Sequence, residues 1–141
     1  MSRSTPRRAL ISLLQATGRI RRQFGDVFGS EGIGESQYNI LRILQGAGEP
    51  VAIMTIRDRM LNPQPSITRL IDRLVKRGLV RRTPCGSDRR RVECTITAAG
   101  LGVLDRLEGP IDARDREVMA RLSSDDLEQL VALLERVGEQ E

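Results

Sequence analysis

The 141-residue chain has no histidine and no tryptophan, and its only aromatic side chains are Phe24, Phe28 and Tyr38. Without histidine there is no Ser-His or Cys-His pair to activate a nucleophile. The two cysteines, Cys85 and Cys94, cannot provide the four ligands of a structural zinc site. Their spacing fits no oxidoreductase motif, and they read as a packing residue and a surface thiol rather than a disulfide. Carboxylates fall at exposed-face helical spacings, with no acidic pair in an apolar setting. No enzyme, metal or cofactor is therefore expected. Long hydrophobic runs are also missing, since none approaches the ~18 to 20 apolar residues of a membrane-spanning helix. Gln15, Arg19, Arg21 and Arg22 interrupt the segment after the charged start, so there is no apolar core of a secretory signal and a cytoplasmic location is expected.

Lysine is nearly absent as well: of 23 basic side chains only Lys76 is not arginine. That bias runs through the whole chain and marks no single site. The placement of charge is more informative. Residues 1–56 carry 7 basic and 4 acidic side chains (net +3), residues 57–91 carry 11 and 3 (net +8), and residues 92–141 carry 5 and 12 (net −7). A strongly cationic block inside a chain with an acidic tail is the footprint of a polyanion-binding module, because each neutralised phosphate releases condensed counterions. A solvated basic face is the competing explanation, and pattern decides between them.

The length is that of one domain. Residues 8–28 place Leu10, Leu13, Leu14, Thr17, Ile20, Phe24, Val27 and Phe28 at three- and four-residue steps, predicting an amphipathic helix broken by Gly25, Gly29, Ser30 and Gly32. Glu35-Ser36-Gln37 opens a second helix that stops at Gly46 and Gly48. Pro50–Ile53 reads as an extended link, and Met54, Ile56 and Met60 as the apolar side of a short third helix. Asn62-Pro63-Gln64-Pro65 is a turn, with Pro65 suited to the first turn of the next helix. From Ser66 to Arg77 the apolar set Ile67, Leu70, Ile71, Leu74 and Val75 opposes Ser66, Thr68, Arg69, Asp72, Arg73, Lys76 and Arg77, and Gly78 stops the helix. Residues 79–83 and 92–97 are β-prone runs around a loop tipped with arginines, a hairpin. Thr97-Ala98-Ala99-Gly100 starts a helix carrying Leu101, Leu104, Leu107 and Ile111 and continuing past Pro110 to Leu122. Ser123-Ser124-Asp125-Asp126 caps the last helix.

Helix, helix, turn, helix and hairpin define a winged helix-turn-helix, in which the polar helix enters a major groove and the hairpin reaches the flanking backbone or minor groove. The fold class expected is mainly α with a small β-hairpin wing. The +8 block coincides with the groove-facing helix and the wing together, which a merely solvated face has no reason to do.

Three stretches carry a family resemblance: residues 34–41 (GESQYNIL), residues 66–82 (SITRLIDRLVKRGLVRR), and Ser87-Asp88-Arg89-Arg90-Arg91 leading into Thr95-Ile96-Thr97-Ala98-Ala99-Gly100. In these the chain resembles the MarR family of transcriptional regulators. The resemblance implies a winged DNA-binding domain at 33–100 flanked by dimerisation helices at 1–32 and 101–141. It further implies a homodimer on a pseudo-palindromic double-stranded operator, usually a repressor released by a small phenolic or lipophilic effector or by oxidation. Ser66, Thr68, Arg69 and Arg73 match the family's recognition-helix positions. Ser66 and Thr68 are then expected to meet phosphate or base edges, and Arg69 to read guanine O6 and N7. Asp88 and Arg90 match the family's Asp-x-Arg wing motif, which implies that Asp88 holds the loop by an ion pair while Arg90 enters the minor groove. Arg89 and Arg91 are assigned to phosphates. Lys76, Arg77, Arg81 and Arg82 divide evenly between DNA contacts and plain surface charges.

The chain departs from the family pattern in two places. The proline turn replaces a commoner glycine-containing one, which bears on the angle of the helix and on any contact by Gln64. Cys85 lies in the wing rather than near the N-terminus, where peroxide-sensing members keep their thiol. A thiol switch at Cys85, whose arginine neighbours favour a thiolate, is one alternative function. A winged-helix module for an acidic protein partner is another. Phe24, Phe28, Tyr38 and Arg42 are candidates for lining an effector pocket between the dimerisation helices and the winged domain, against the plainer reading as core residues.

Overall fold

The computed structural model describes residues 4–84 and 91–139. Six helices and three short strands follow in the order α1 (Thr5–Gly29), α2 (Glu35–Ala47), β1 (Val51–Ala52), α3 (Ile53–Arg59), α4 (Ile67–Lys76), β2 (Val80–Pro84), β3 (Val92–Ile96), α5 (Ala98–Val118) and α6 (Ser124–Arg136). This is the mainly helical, winged architecture expected. No helix among the described residues is long and apolar enough to cross a membrane. The chain divides into two compact units, Phe24–Pro110 on one hand and Met1–Gln23 with Ile111–Glu141 on the other.

Several boundaries differ from the sequence reading. Helix α1 runs through Gly25 instead of breaking there. One helical glycine costs about 1 kcal/mol, which the burial of Val27 and Phe28 just beyond it outweighs. Pro65 precedes α4 in a turn rather than opening the helix, and Ser66 is the N-cap. Helix α5 contains Pro110 but ends at Val118, short of Leu122. Met54, expected on the apolar side of α3, is exposed, whereas Ile56 and Met60 are buried. The segment read as an extended link forms β1, which pairs antiparallel with β3 through Val51↔Cys94 and Ala52↔Glu93. The sheet order is thus β1-β3-β2, with the wing hairpin registered Val80↔Ile96 to Pro84↔Val92.

Within the Phe24–Pro110 unit, Ile40, Leu41 and Leu44 of α2, Ile56 of α3, Ile71 and Leu74 of α4, Cys94 of β3 and Leu104 and Leu107 of α5 are almost fully buried. Helix α2 sits at the centre, in contact with α3, α4 and β3. Helix α4 ends in a Schellman turn: Gly78 takes φ 74°, the Leu79 amide donates to the Leu74 carbonyl (2.9 Å) and the Gly78 amide to that of Val75 (2.9 Å). The start of α5 docks on this turn. The Thr97 amide donates to the Leu79 carbonyl (3.1 Å), and the Thr97 hydroxyl donates to the Gly78 carbonyl (2.6 Å) while accepting from the Gly100 amide (3.1 Å). In the other unit, α6 starts with the capping box read from sequence: the Ser123 hydroxyl accepts from the Asp126 amide (3.1 Å) and the Asp126 carboxylate from the Ser123 amide (3.1 Å).

Gly100 is where this packing is tightest, because a Cβ there would lie 2.4 Å from the Leu79 carbonyl oxygen and 2.7 Å from Ile96 Cγ1. Gly100→Ala should therefore cost about 1 to 3 kcal/mol, as overpacking of a close contact does. A lower urea midpoint with unchanged m would register it; an unchanged midpoint would show that the junction yields freely.

Candidate nucleic-acid interface

Helix α4 owes its orientation to its buried side. Ile67, Ile71 and Leu74 are 5 % exposed or less, with Leu70 and Val75 half-buried beside them. The 3.6-residue period then puts Arg69, Arg73 and Lys76 on the opposite side, and all three are exposed. Ser66 and Thr68 are exposed at the start of the helix. The Ser66 side chain makes no capping hydrogen bond, so the helix start does not consume its hydroxyl. Gln64 is half-buried, and its Nε2 donates to the Asn62 carbonyl (3.4 Å) within the turn. Arg91 is exposed immediately before β3. Cys85, Asp88, Arg89 and Arg90 lie outside the described residues. Ser66, Thr68, Arg69 and Arg73 thus come together as one hydroxyl-rich, cationic surface carried by a helix whose other side is locked in the core.

Two of the cations treated as even choices between DNA contact and surface charge have partners within the protein. Arg82 of β2 pairs with Asp72 of α4, both side chains partly exposed. A pair this exposed contributes about 0 to 1 kcal/mol, a minor link between the wing strand and the helix. Arg77 donates from Nη1 to the Gly32 carbonyl and from Nη2 to the Glu31 carbonyl, each at 2.9 Å. Sequence reasoning also missed Asn39, whose Oδ1 accepts from the Leu61 amide (2.8 Å) and ties the α3–α4 turn to α2. No local pattern announces these contacts, since the Arg77 and Asn39 partners lie 22 to 46 residues away along the chain.

The aromatic residues form one cluster. Phe24 and Phe28 rings stand 6.1 Å apart and Phe28 and Tyr38 rings 4.9 Å apart. Arg42 lies over Tyr38 at 5.4 Å and donates from Nε to its hydroxyl (2.8 Å). Phe28, Tyr38, Asn39, Met60 and Leu61 border a cavity of about 140 Å³ beneath the α3–α4 turn.

Cys94 is wholly buried in β3. Burial pushes its thiol above the ordinary value near 9.0, against a smaller opposing pull from the Arg82 guanidinium. Among the described residues no group of histidine, cysteine and acidic side chains is placed to hold a metal ion.

A helix-turn-helix with an exposed cationic second helix and a two-stranded wing defines the class of winged helix-turn-helix proteins. The family model that matches residues 31–91 is that of the MarR family. A MarR transcription factor from Planctomyces limnophilus is 36% identical, the alignment covering 96% of this chain and 98% of that one, with a TM-score of 0.75. The chain belongs to the MarR family. Its fold is also similar to a mutant MarR from E. coli complexed with operator DNA (22% identity, 96% and 95% coverage, TM-score 0.83). A third similar structure is BpsR from Bordetella bronchiseptica, whose DNA binding is regulated by 6-hydroxynicotinic acid (19% identity, 94% and 99% coverage, TM-score 0.83).

In a Cys85→Ser background, Cys94 should not react with an aromatic disulfide reagent until the chain is unfolded, because its thiol is buried and held neutral. The raised folded value sets the sign of the pH effect. Stability from the buried neutral thiol is full well below the ordinary thiol value near 9.0 and is lost as pH rises through it toward the higher folded value. Rapid labelling at neutral pH, or stability that grows above pH 9, would contradict this.

Proposed function

We propose that this chain acts in the cytoplasm as a homodimeric repressor that binds a pseudo-palindromic operator and is released by a small ligand. The observation that carries the reading is the outer side of α4, where Ser66, Thr68, Arg69 and Arg73 stand exposed while Ile67, Ile71 and Leu74 hold the helix in the core. Arg69 reads guanine through a bidentate contact, Ser66 and Thr68 meet phosphate or base edges, and Gln64 and Arg73 flank them. In the wing, Arg89 and Arg91 meet phosphates, and Arg90, with Asp88 holding the loop, enters the minor groove. The similarity to an E. coli MarR bound to operator DNA supports this use of the fold.

Residues 33–100 form the reading head, and residues 1–32 and 101–141 supply dimerisation. Leu10 and Leu14 of α1 and Val131, Leu133 and Leu134 of α6 are 41 to 63 % exposed. A second chain related by a twofold axis covers them and sets two α4 helices about 34 Å apart, or a multiple of that, along the duplex.

For the effector, the cavity beside Tyr38 takes one small aromatic ring, since an apolar cavity of roughly 150 Å³ holds a benzene. Its wall includes Leu61 of the α3–α4 turn, so occupation presses on the segment that leads into α4. The regulation of BpsR by 6-hydroxynicotinic acid is in keeping with an aromatic effector of this size.

Fluorescence anisotropy with the DNA upstream of the chain's own gene and a scrambled duplex, over a salt series, tests the reading. Tight binding to the native fragment, weak binding to the scramble and a steep salt dependence are expected. Arg69→Ala should relax preference at one base pair by about 1 to 3 kcal/mol, and Arg90→Ala should weaken all A/T-flanked sites together. Equal, sequence-blind losses from both would reject this division of labour, and binding indifferent to sequence in the unaltered chain would reject the repressor.

A further inference from the structure

The Arg77 side chain, exposed at the end of the cationic helix, reaches back to the loop between α1 and α2. Its two nitrogens bind the Glu31 and Gly32 carbonyls in the loop between α1 and α2. Residue 32 is a glycine at φ +69°, a backbone conformation that residues with side chains rarely adopt, and a Cβ there would only touch the Arg77 guanidinium at ordinary contact distance. The same loop is held from a third element: the Glu31 carboxylate pairs with Arg106 of α5. Glu31 therefore receives the recognition helix on its backbone and α5 on its side chain. The geometry points to Arg77, Glu31 and Arg106 as a brace that sets the angle of α4 against the winged domain, making Arg77 a positioning residue for operator recognition rather than a phosphate contact.

The physical reason is leverage. Ile67, Ile71 and Leu74 fix which side of α4 faces the core, but apolar packing tolerates small rotations, whereas two directional hydrogen bonds at one end of a ten-residue helix do not. An error of angle at that end displaces Arg69 and Ser66 at the other, where base edges are read. A phosphate contact and a brace leave different signatures. Loss of a phosphate contact weakens all DNA alike and lowers the salt slope by about one. Loss of a brace spares non-specific binding and erodes sequence preference.

This inference rests on the operator-binding reading, and the experiment separates the two. The probe is the duplex that the unaltered chain enriches from random-sequence DNA, measured against a scrambled duplex across a salt series and well below the unfolding temperature of each variant. Arg77→Lys keeps the charge but cannot span both carbonyls with a planar fork. It should lose about tenfold in affinity for the enriched duplex, the worth of roughly one charge-assisted hydrogen bond, with affinity for the scramble and the salt slope unchanged. Arg106→Ala, which leaves Arg77 intact, should shift the same ratio in the same direction by a smaller factor. Full activity of Arg77→Lys, or loss on both duplexes together, would overturn the brace while leaving operator binding standing. No sequence preference in the unaltered chain would overturn both.

Discussion

The end of α4 is the point on which the reading surface depends. There the helix must stop, the wing must begin and α5 must start, all around the carbonyls of Gly78 and Leu79. One threonine hydroxyl serves two of these needs, donating to the Gly78 carbonyl and accepting from the Gly100 amide in the first turn of α5. The Leu79 carbonyl then approaches Gly100 too closely for any side chain to intervene. Because three elements share so few atoms, the angle between helix and wing is set by backbone geometry, and the Asp72–Arg82 pair only refines it.

Much of this architecture was legible in the amino-acid order. The 3.6-residue period located every helix, the Ser123–Asp126 cap was read in full, and the β-prone runs around the arginine loop gave the hairpin. What stayed hidden was non-local. A two-residue strand has no alternation to detect, so β1 became visible only through its pairing with β3 some forty residues later. Gly25 read as an interruption because local propensity says so, yet the packing of Val27 and Phe28 beyond it carries α1 through.

The candidate site divides in the same way. The period of α4 separates its core side from its outer side, and Ser66, Thr68, Arg69 and Arg73 fall where that period puts them. It does not say which guanidiniums are already engaged. Arg77 and Arg82 belong to the same charge block as Arg69 and Arg73, and only their partners in space set them apart. Counting basic residues therefore overstates the cationic surface offered to solvent, since part of the +8 block is spent on internal contacts.

Among the described residues the three-stranded sheet has two outer strands, and an unpaired edge is a template for pairing with another chain. One edge is β1, only two residues long and preceded by Pro50, too short to recruit a partner. The other is β2, where Arg81 is an exposed charge and Pro84 offers no amide to donate. Both outer strands are thus poor templates for edge-to-edge pairing in a concentrated solution.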